Sequence, residues 1–318
     1  MRVGQNPAKS IDYVAQPEKV TIAVVSYIPF LSGYYRESLD ILKVCLNSIW
    51  DNTNLPFDLL VFDNASCSQV QAYLIEARDQ GRIQYLVLSD KNIGKGGAWN
   101  FIFGAVPGEF IAYADGDIFF YPGWLTATID ALESFQNAGM VTGMPLWSPQ
   151  QFSTATIEWA QNNPDIHLEK GALLPWEDYW RHSRSLGKQE AEARQHYETC
   201  EEYRLEYLGS KFYIGAGHFQ FVAKRQILQS ILPVPSHRPM GQVRELDIAL
   251  NEQGYLRLST QEWWVEHMGN TLPANKKKQT EKSESSWTKY KSPIWYWVPF
   301  RKFLEWTHGK TFEILYKK

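Results

Sequence analysis

Two carboxylates, Asp115 and Asp117, flank Gly116 where an apolar run, residues 110–114, comes to an end. Oxygen ligands at i and i+2, with a glycine that lets the backbone bend between them, suit a hard cation such as Mg²⁺ or Mn²⁺. Such a cation can in turn hold a diphosphate. The same three residues also read as a solvated turn after a strand. The elements on either side decide between these readings, because they determine what else reaches the end of that strand.

Residues 20–26, 57–62, 83–88 and 110–114 are short apolar or β-branched runs of strand type. Between them lie helical patterns: residues 37–50, with Leu39, Leu42, Leu46, Ile49 and Trp50 at helical spacing, residues 68–79, and a short helix opening after Ile93. This alternation predicts βαβ units and a parallel sheet. Right-handed crossovers then set four strand C-termini on one rim, where open α/β sheets bind ligands. Asp63, the loop from Asn92 to Lys95, and the pair Asp115/Asp117 are therefore expected to converge.

Beyond the fourth strand, residues 122–135 read as a helix and 139–144 as a strand. Residues 148–208 are polar, rich in Trp and charge, and helical in pattern over 188–207; they read as an insertion beside the sheet. Their aromatic and acidic cluster at 176–180 fits either a substrate contact or a surface turn. Strand composition returns at 213–222, with a glycine pair where a backbone can approach a ligand closely. An amphipathic helix over 244–254, closed by Gly254, and a strand over 255–260 lead on to residues 265–270. The chain thus divides into a tail (1–19), a first half (20–147), the insertion (148–208), a second half (209–268), and a Lys-rich linker with an aromatic and basic extension (269–318).

The chain has 318 residues, enough for one large domain or two small ones. A formal net charge of −3 leaves no electrostatic footprint for nucleic acid. Three cysteines, Cys45, Cys67 and Cys200, make neither a zinc site nor a disulfide framework, which points to a reducing, cytoplasmic setting. The first residues lack an apolar leader, and no run of about 18 apolar residues is present. In residues 292–318, Trp and Tyr beside Lys and Arg suit peripheral contact with the inner face of a membrane; a helix packed on its own domain is the competing reading.

Three chemistries compete for the rim. Residues 92–100 fit neither the Gly-x-Gly-x-x-Gly fingerprint nor the phosphate loop ending in Gly-Lys-Ser/Thr, which disfavours NAD- and ATP-dependent enzymes. A glycoside hydrolase needs two carboxylates straddling a bond, and Asp115 and Asp117 are too close and too alike. Transfer of a sugar from a nucleotide donor needs one metal-binding pair and one remote acid, and the chain offers both.

The order of motifs resembles inverting family 2 glycosyltransferases of the GT-A fold. The resemblance rests on Val24-Val-Ser-Tyr27, Val61-Phe-Asp-Asn-Ala-Ser66, Asn92-Ile-Gly94 with Ala98 and Asn100, and Asp115-Gly-Asp117. It covers residues 20–145 strongly and 209–268 more weakly. It implies an α/β sandwich, a central mostly parallel sheet flanked by helices, with a helical insertion and a C-terminal aromatic and basic extension. Asp63, beside Asn64, would contact the base or ribose, with Ser26 and Tyr27 lining the same pocket. Asn92, Gly94, Lys95 and Asn100 would follow the ribose and diphosphate. Asp115 and Gly116 would face the ribose or metal, Asp117 would ligate the metal, and His267 would complete its site. The cofactor implied is Mn²⁺ or Mg²⁺, the donor a UDP-, GDP- or dTDP-sugar, and the acceptor a glycan or a lipid-linked molecule. For the base, Glu245 and Asp247 both qualify; about 200° apart on a helix, only one can point into the cleft. Gly217 and His218 would approach the acceptor. A non-catalytic sugar-binding module and a nucleotidylyltransferase remain as alternatives on the same sheet type.

Overall fold

Alternate residues of the apolar runs face opposite sides of one sheet. In the strand Phe110–Asp115, Phe110, Ala112 and Ala114 enter one core cluster while Ile111 and Tyr113 enter another. The period of two that makes such a run a strand also gives the sheet two apolar faces, which helices must cover. The computed structural model describes residues 4–239 and 242–272, together with residues 303, 306, 307 and 310.

The first four strands are β1 (Val20–Ser26), β2 (Asp58–Asn64), β3 (Tyr85–Ser89) and β4 (Phe110–Asp115). The helices α1 (Ser38–Asn52), α2 (Ser68–Asp79) and α3 (Gly94–Ala105) connect them. All neighbours in this set pair in parallel, in the order β3-β2-β1-β4. The chain then forms β5 (Ile118–Phe120), α4 (Trp124–Glu133) and β6 (Ala138–Thr142). The insertion contributes the helices α5 (Thr154–Asn162), α6 (Trp176–Ser185) and α7 (Glu190–Tyr197), with β7 (His167–Gly171) and β8 (Glu202–Tyr207). After β9 (Ser210–Ile214), β10 (Gln220–Lys224) and α8 (Arg225–Ser230) come α9 (Arg244–Glu252), β11 (Leu256–Thr260) and β12 (Val265–His267).

Ten strands form one sheet, β3-β2-β1-β4-β10-β6-β11-β9-β8-β7. In its central part β3, β2, β1, β4, β6 and β11 run one way, and β10 runs against them between β4 and β6. This is the expected α/β architecture, a largely parallel sheet with helices on its faces. The insertion is helical over much of its length, but it also adds two strands to the sheet, β8 antiparallel to β9 and β7 antiparallel to β8. The helical pattern over 188–207 ends with α7; residues 202–207 form β8, held by pairing with β7 and β9, and Leu205 is buried against the core. The pair β5 and β12 forms a separate small ribbon. The linker at 273–291 and most of the extension lie outside the described residues, and the membrane-contact reading falls there. Among the described residues, no helix is long and apolar enough to cross a membrane.

Candidate active site

The C-terminal ends of β1, β2 and β4 border a cleft of about 490 Å³, lined by Ser26, Tyr27, Asn64, Asn92, Lys95, Asp115, Gly116 and Asp117 among others. β1 is the central strand of its set, and its register brings Ser26 level with Asp63 on one side and Val25 level with Asp115 on the other. Of the groups expected to converge, Asn92, Lys95, Asp115 and Asp117 line this cleft, and Asp63 does not.

Asp115 is held from two sides. Its Oδ2 lies 2.6 Å from Lys95 Nζ, and its Oδ1 accepts a 2.6 Å hydrogen bond from Tyr113. Tyr113 lies two residues upstream on the same face of β4, so strand alternation alone points to it. Lys95 comes from the first turn of α3, which Gly94 opens with φ +75°. A Cβ there would stand 2.7 Å from Ser236 Oγ and 2.9 Å from Arg238 O, so the close approach of the 236–239 segment also requires glycine.

Asp117 is different. Its Oδ1 is buried without a hydrogen-bond partner, and its Oδ2 lies 3.3 Å from His267 Nε2. The ribbon makes this encounter: β12 pairs antiparallel with β5, and Met268 N donates to Asp117 O at 2.9 Å. His267 Nδ1 lies 3.0 Å from Ser185 Oγ at the end of α6, and the neighbouring Glu266 is gripped by Arg181 of α6 at 2.9 Å. The insertion therefore positions His267. Burial disfavours charge on both partners, but their mutual attraction prevails; Asp117 lies below the usual carboxylate range and His267 above the usual imidazole range.

Among the described residues, no group of three His, Cys, Asp or Glu side chains is gathered to hold a metal. Asp117 and His267 nevertheless suit a divalent cation completed by phosphate oxygens and water, as Mg²⁺ and Mn²⁺ sites commonly are. The orphaned Oδ1 of Asp117 is the observation that fits. Asp115, closed by Lys95 and Tyr113, is the poorer donor.

Several expected contacts are replaced by structural ones. Asp63 is fully buried and does not line the cleft; it accepts hydrogen bonds from Ser26 Oγ at 3.3 Å, Ser66 N at 3.1 Å and Gln71 Nε2 at 3.1 Å. Its role here is to fix the turn from β2 into α2. Asn64 does reach the cleft, and it pins the loop before α3 through Asn92 Oδ1, Gly94 O and Ile93 N. Asn100 turns away and clasps the backbone of Val234 with two hydrogen bonds. Gly94 serves the start of α3 rather than the cleft wall. The cleft is completed by Tyr34, Tyr35 and Asn270, which no spacing argument singled out.

A second cleft, of about 220 Å³, is lined by Trp147, Tyr179, His182, Lys188, His218, Phe219 and Arg244 among others. Phe219 joins it to the first, since its carbonyl accepts from Asp115 N at 2.8 Å and its ring lies 5.8 Å from that of His267. Gly217 makes the turn possible: a Cβ there would stand 2.4 Å from the Phe219 ring. Burial holds His182 at about 3, so it stays neutral.

The two candidate bases part as their spacing predicted, but neither opens into a cleft. Glu245, in the first turn of α9, is half-buried and lines neither one. Asp247 points inward, is fully buried, and binds Arg257 Nη2 at 2.6 Å. Arg257 is itself fully buried and also donates to Phe152 O and Ala216 O. A lone Arg in the apolar run 256–260 is the sequence signal of this pair.

Residues 33–187 match the family model described as Glycosyl transferase family 2. Among solved structures, the chain is similar to TarS 1–349 of S. aureus, with a TM-score of 0.42 and 13% identity over 76% of this chain and 60% of that one. It is likewise similar to the same protein in complex with UDP, with a TM-score of 0.42 and 14% identity over 77% and 58%. A third is the mannosyltransferase PcManGT from Pyrobaculum calidifontis in complex with GDP-Man and Mn²⁺, with a TM-score of 0.46 and 13% identity over 80% and 59%. The chain spans about three-fifths of the length of these proteins. No curated protein matches it.

Proposed function

We propose that the chain, whose residues 33–187 match the model of glycosyl transferase family 2, is a transferase that moves a sugar from a nucleoside diphosphate donor to an acceptor hydroxyl, with a divalent cation at Asp117 and His267. The observation that carries this reading is the gathering of Lys95, Asp115 and Asp117 at one cleft on the sheet rim, with His267 against Asp117. Lys95, paired with Asp115, sets a positive charge beside the diphosphate, and a cation held by Asp117 and His267 would add to it as the leaving group gains charge. Tyr27, Tyr34 and Tyr35 give the nucleotide base an aromatic wall. The sugar is displaced in a single in-line step with inversion, and the acceptor, a glycan or a lipid-linked molecule, enters from the second cleft. Mn²⁺ suits the imidazole of His267 better than Mg²⁺ does.

Thermal stabilisation by UDP, GDP, dTDP and CMP, each with and without Mn²⁺, tests the reading. Saturation at a hundredfold excess over Kd adds about 2.7 kcal/mol, a melting shift of a few degrees. A Mn²⁺-dependent shift with one diphosphate is expected and names the donor class. No shift with any nucleotide would end the proposal.

A further inference from the structure

One side chain of the second cleft faces the charges of the first. His218 lines the second cleft with 27% of its side chain exposed, and it stands close enough to Lys95 and Asp115 of the first to feel their charges. Its Nδ1 lies 3.7 Å from Asp247 Oδ2. Arg257 occupies the other oxygen of that carboxylate, and Oδ2 itself is buried without a hydrogen bond. The acid on α9 is thus walled off from any acceptor, and its second oxygen faces Arg244 Nη1 at 3.8 Å and the imidazole of His218, which lines the cleft.

We propose that His218 is the base that receives the acceptor proton, and that Asp247, fixed by Arg257, is the residue that positions it. This rests on the transferase reading above. The acceptor O–H gives its proton to His218 Nε2 while its oxygen bonds the anomeric carbon. The bond from that carbon to the diphosphate oxygen breaks, and its electron pair leaves with the diphosphate. The imidazolium formed faces Asp247 and afterwards returns its proton to water. A carboxylate behind a histidine fixes which ring nitrogen carries the proton and stabilises the cation that develops. Catalytic contacts in substrate-free enzymes are commonly long, as this 3.7 Å separation is.

The charged groups around His218 come from four elements: Asp247 and Arg244 on α9, Lys95 on α3, Asp115 on β4 and His182 on α6. Burial is the strongest influence on His218 and lowers its pKa, as Lys95 does; Asp247 and Asp115 oppose them without prevailing. The ring is therefore neutral near pH 7 and able to accept.

The test begins with ¹⁵N NMR of the imidazole rings in the whole protein near neutral pH, His218 being assigned by the signal lost in His218→Gln. A proton on Nδ1 and none on Nε2 is expected; a proton on Nε2 would overturn the proposal. Asp247→Asn, if it folds by circular dichroism, should shift that tautomer balance; if it does not fold, the wild-type spectrum and His218→Gln still decide. Turnover is then read as nucleotide release from UDP-glucose, UDP-N-acetylglucosamine and GDP-mannose. His218→Gln should lower kcat by about 10²–10⁴-fold with the donor KM little changed. Glu245→Gln should stay within about threefold of wild type. The wild-type acid limb should lie below pH 6.5, the ordinary histidine value. Retention of kcat by His218→Gln would refute the assignment. Failure of the wild type to bind any nucleotide would remove the transferase reading instead, and the NMR result would still decide the dyad.

Discussion

The two clefts hold their charges in opposite ways. In the first, Asp115, Asp117 and Lys95 project from the ends of parallel strands and the start of a helix, and all three line the opening. In the second, Lys188 and Arg244 line the opening, but the tightest ion pair, Asp247 with Arg257, lies behind the wall and is fully buried, with His218 between it and the cleft. The first arrangement places its acids where a ligand arrives. The second hides its acid and presents it through an intermediary. Charge at the rim of a sheet is cheap to keep because solvent or ligand satisfies it, whereas charge inside must be matched by the protein itself.

That difference predicts which substitutions harm folding and which harm chemistry. The largest effect is expected inside. Arg257→Met removes the 2.6 Å partner of the buried Asp247, leaving it only the distant Arg244, and should cost about 3–5 kcal/mol of stability in urea denaturation. Arg257→Met with Asp247→Leu should recover most of that loss, because two apolar groups need no partner. If the single variant is as stable as wild type, the buried pair does not hold the second half together.

At the rim the expectation is reversed. Asp117→Asn should lower transfer by roughly 100-fold or more while leaving the midpoint of unfolding nearly unchanged. The melting shift given by the nucleotide should also lose its dependence on Mn²⁺. Full turnover that still requires metal would remove Asp117 from the site. The smallest effect belongs to a residue between the two classes: Asp63→Asn should cost about 1–2 kcal/mol through the contacts to Ser26, Ser66 and Gln71. It should not alter which nucleotide stabilises the protein. Loss of binding without loss of stability would instead return Asp63 to the nucleotide pocket.

Legibility in the sequence follows the same division. Strand order and the right-handed crossover rule bring Asn92, Lys95, Asp115 and Asp117 to one opening, because each lies at a strand end or in the loop and helix start that follow it. The direction of a side chain at such an end is set by partners several residues away. Asp63 therefore read as a ligand contact until Gln71 and Ser66 claimed it. His267 could be placed near the rim only through resemblance, since a separate ribbon and a helix of the insertion bring it to Asp117. The partnership of Asp247 with Arg257 joins a helix to the strand after it, and no periodicity reports which buried charge meets which. The lone Arg among Leu256, Leu258 and Ser259 was the available clue.

The place of β10 in the sheet has a consequence for how the protein must be made. Until residue 224 is present, β4 ends the parallel set with an open hydrogen-bonding edge. β6, although it precedes the insertion in sequence, pairs only with β10 and β11. A chain released at residue 147 would thus carry the acids of the rim on an unfinished sheet, with its last strand lacking any neighbour. The division into a first and a second half describes chemistry but not assembly: on the ribosome the first half waits for a strand from the second, and a fragment cut between them inherits an edge open to other chains.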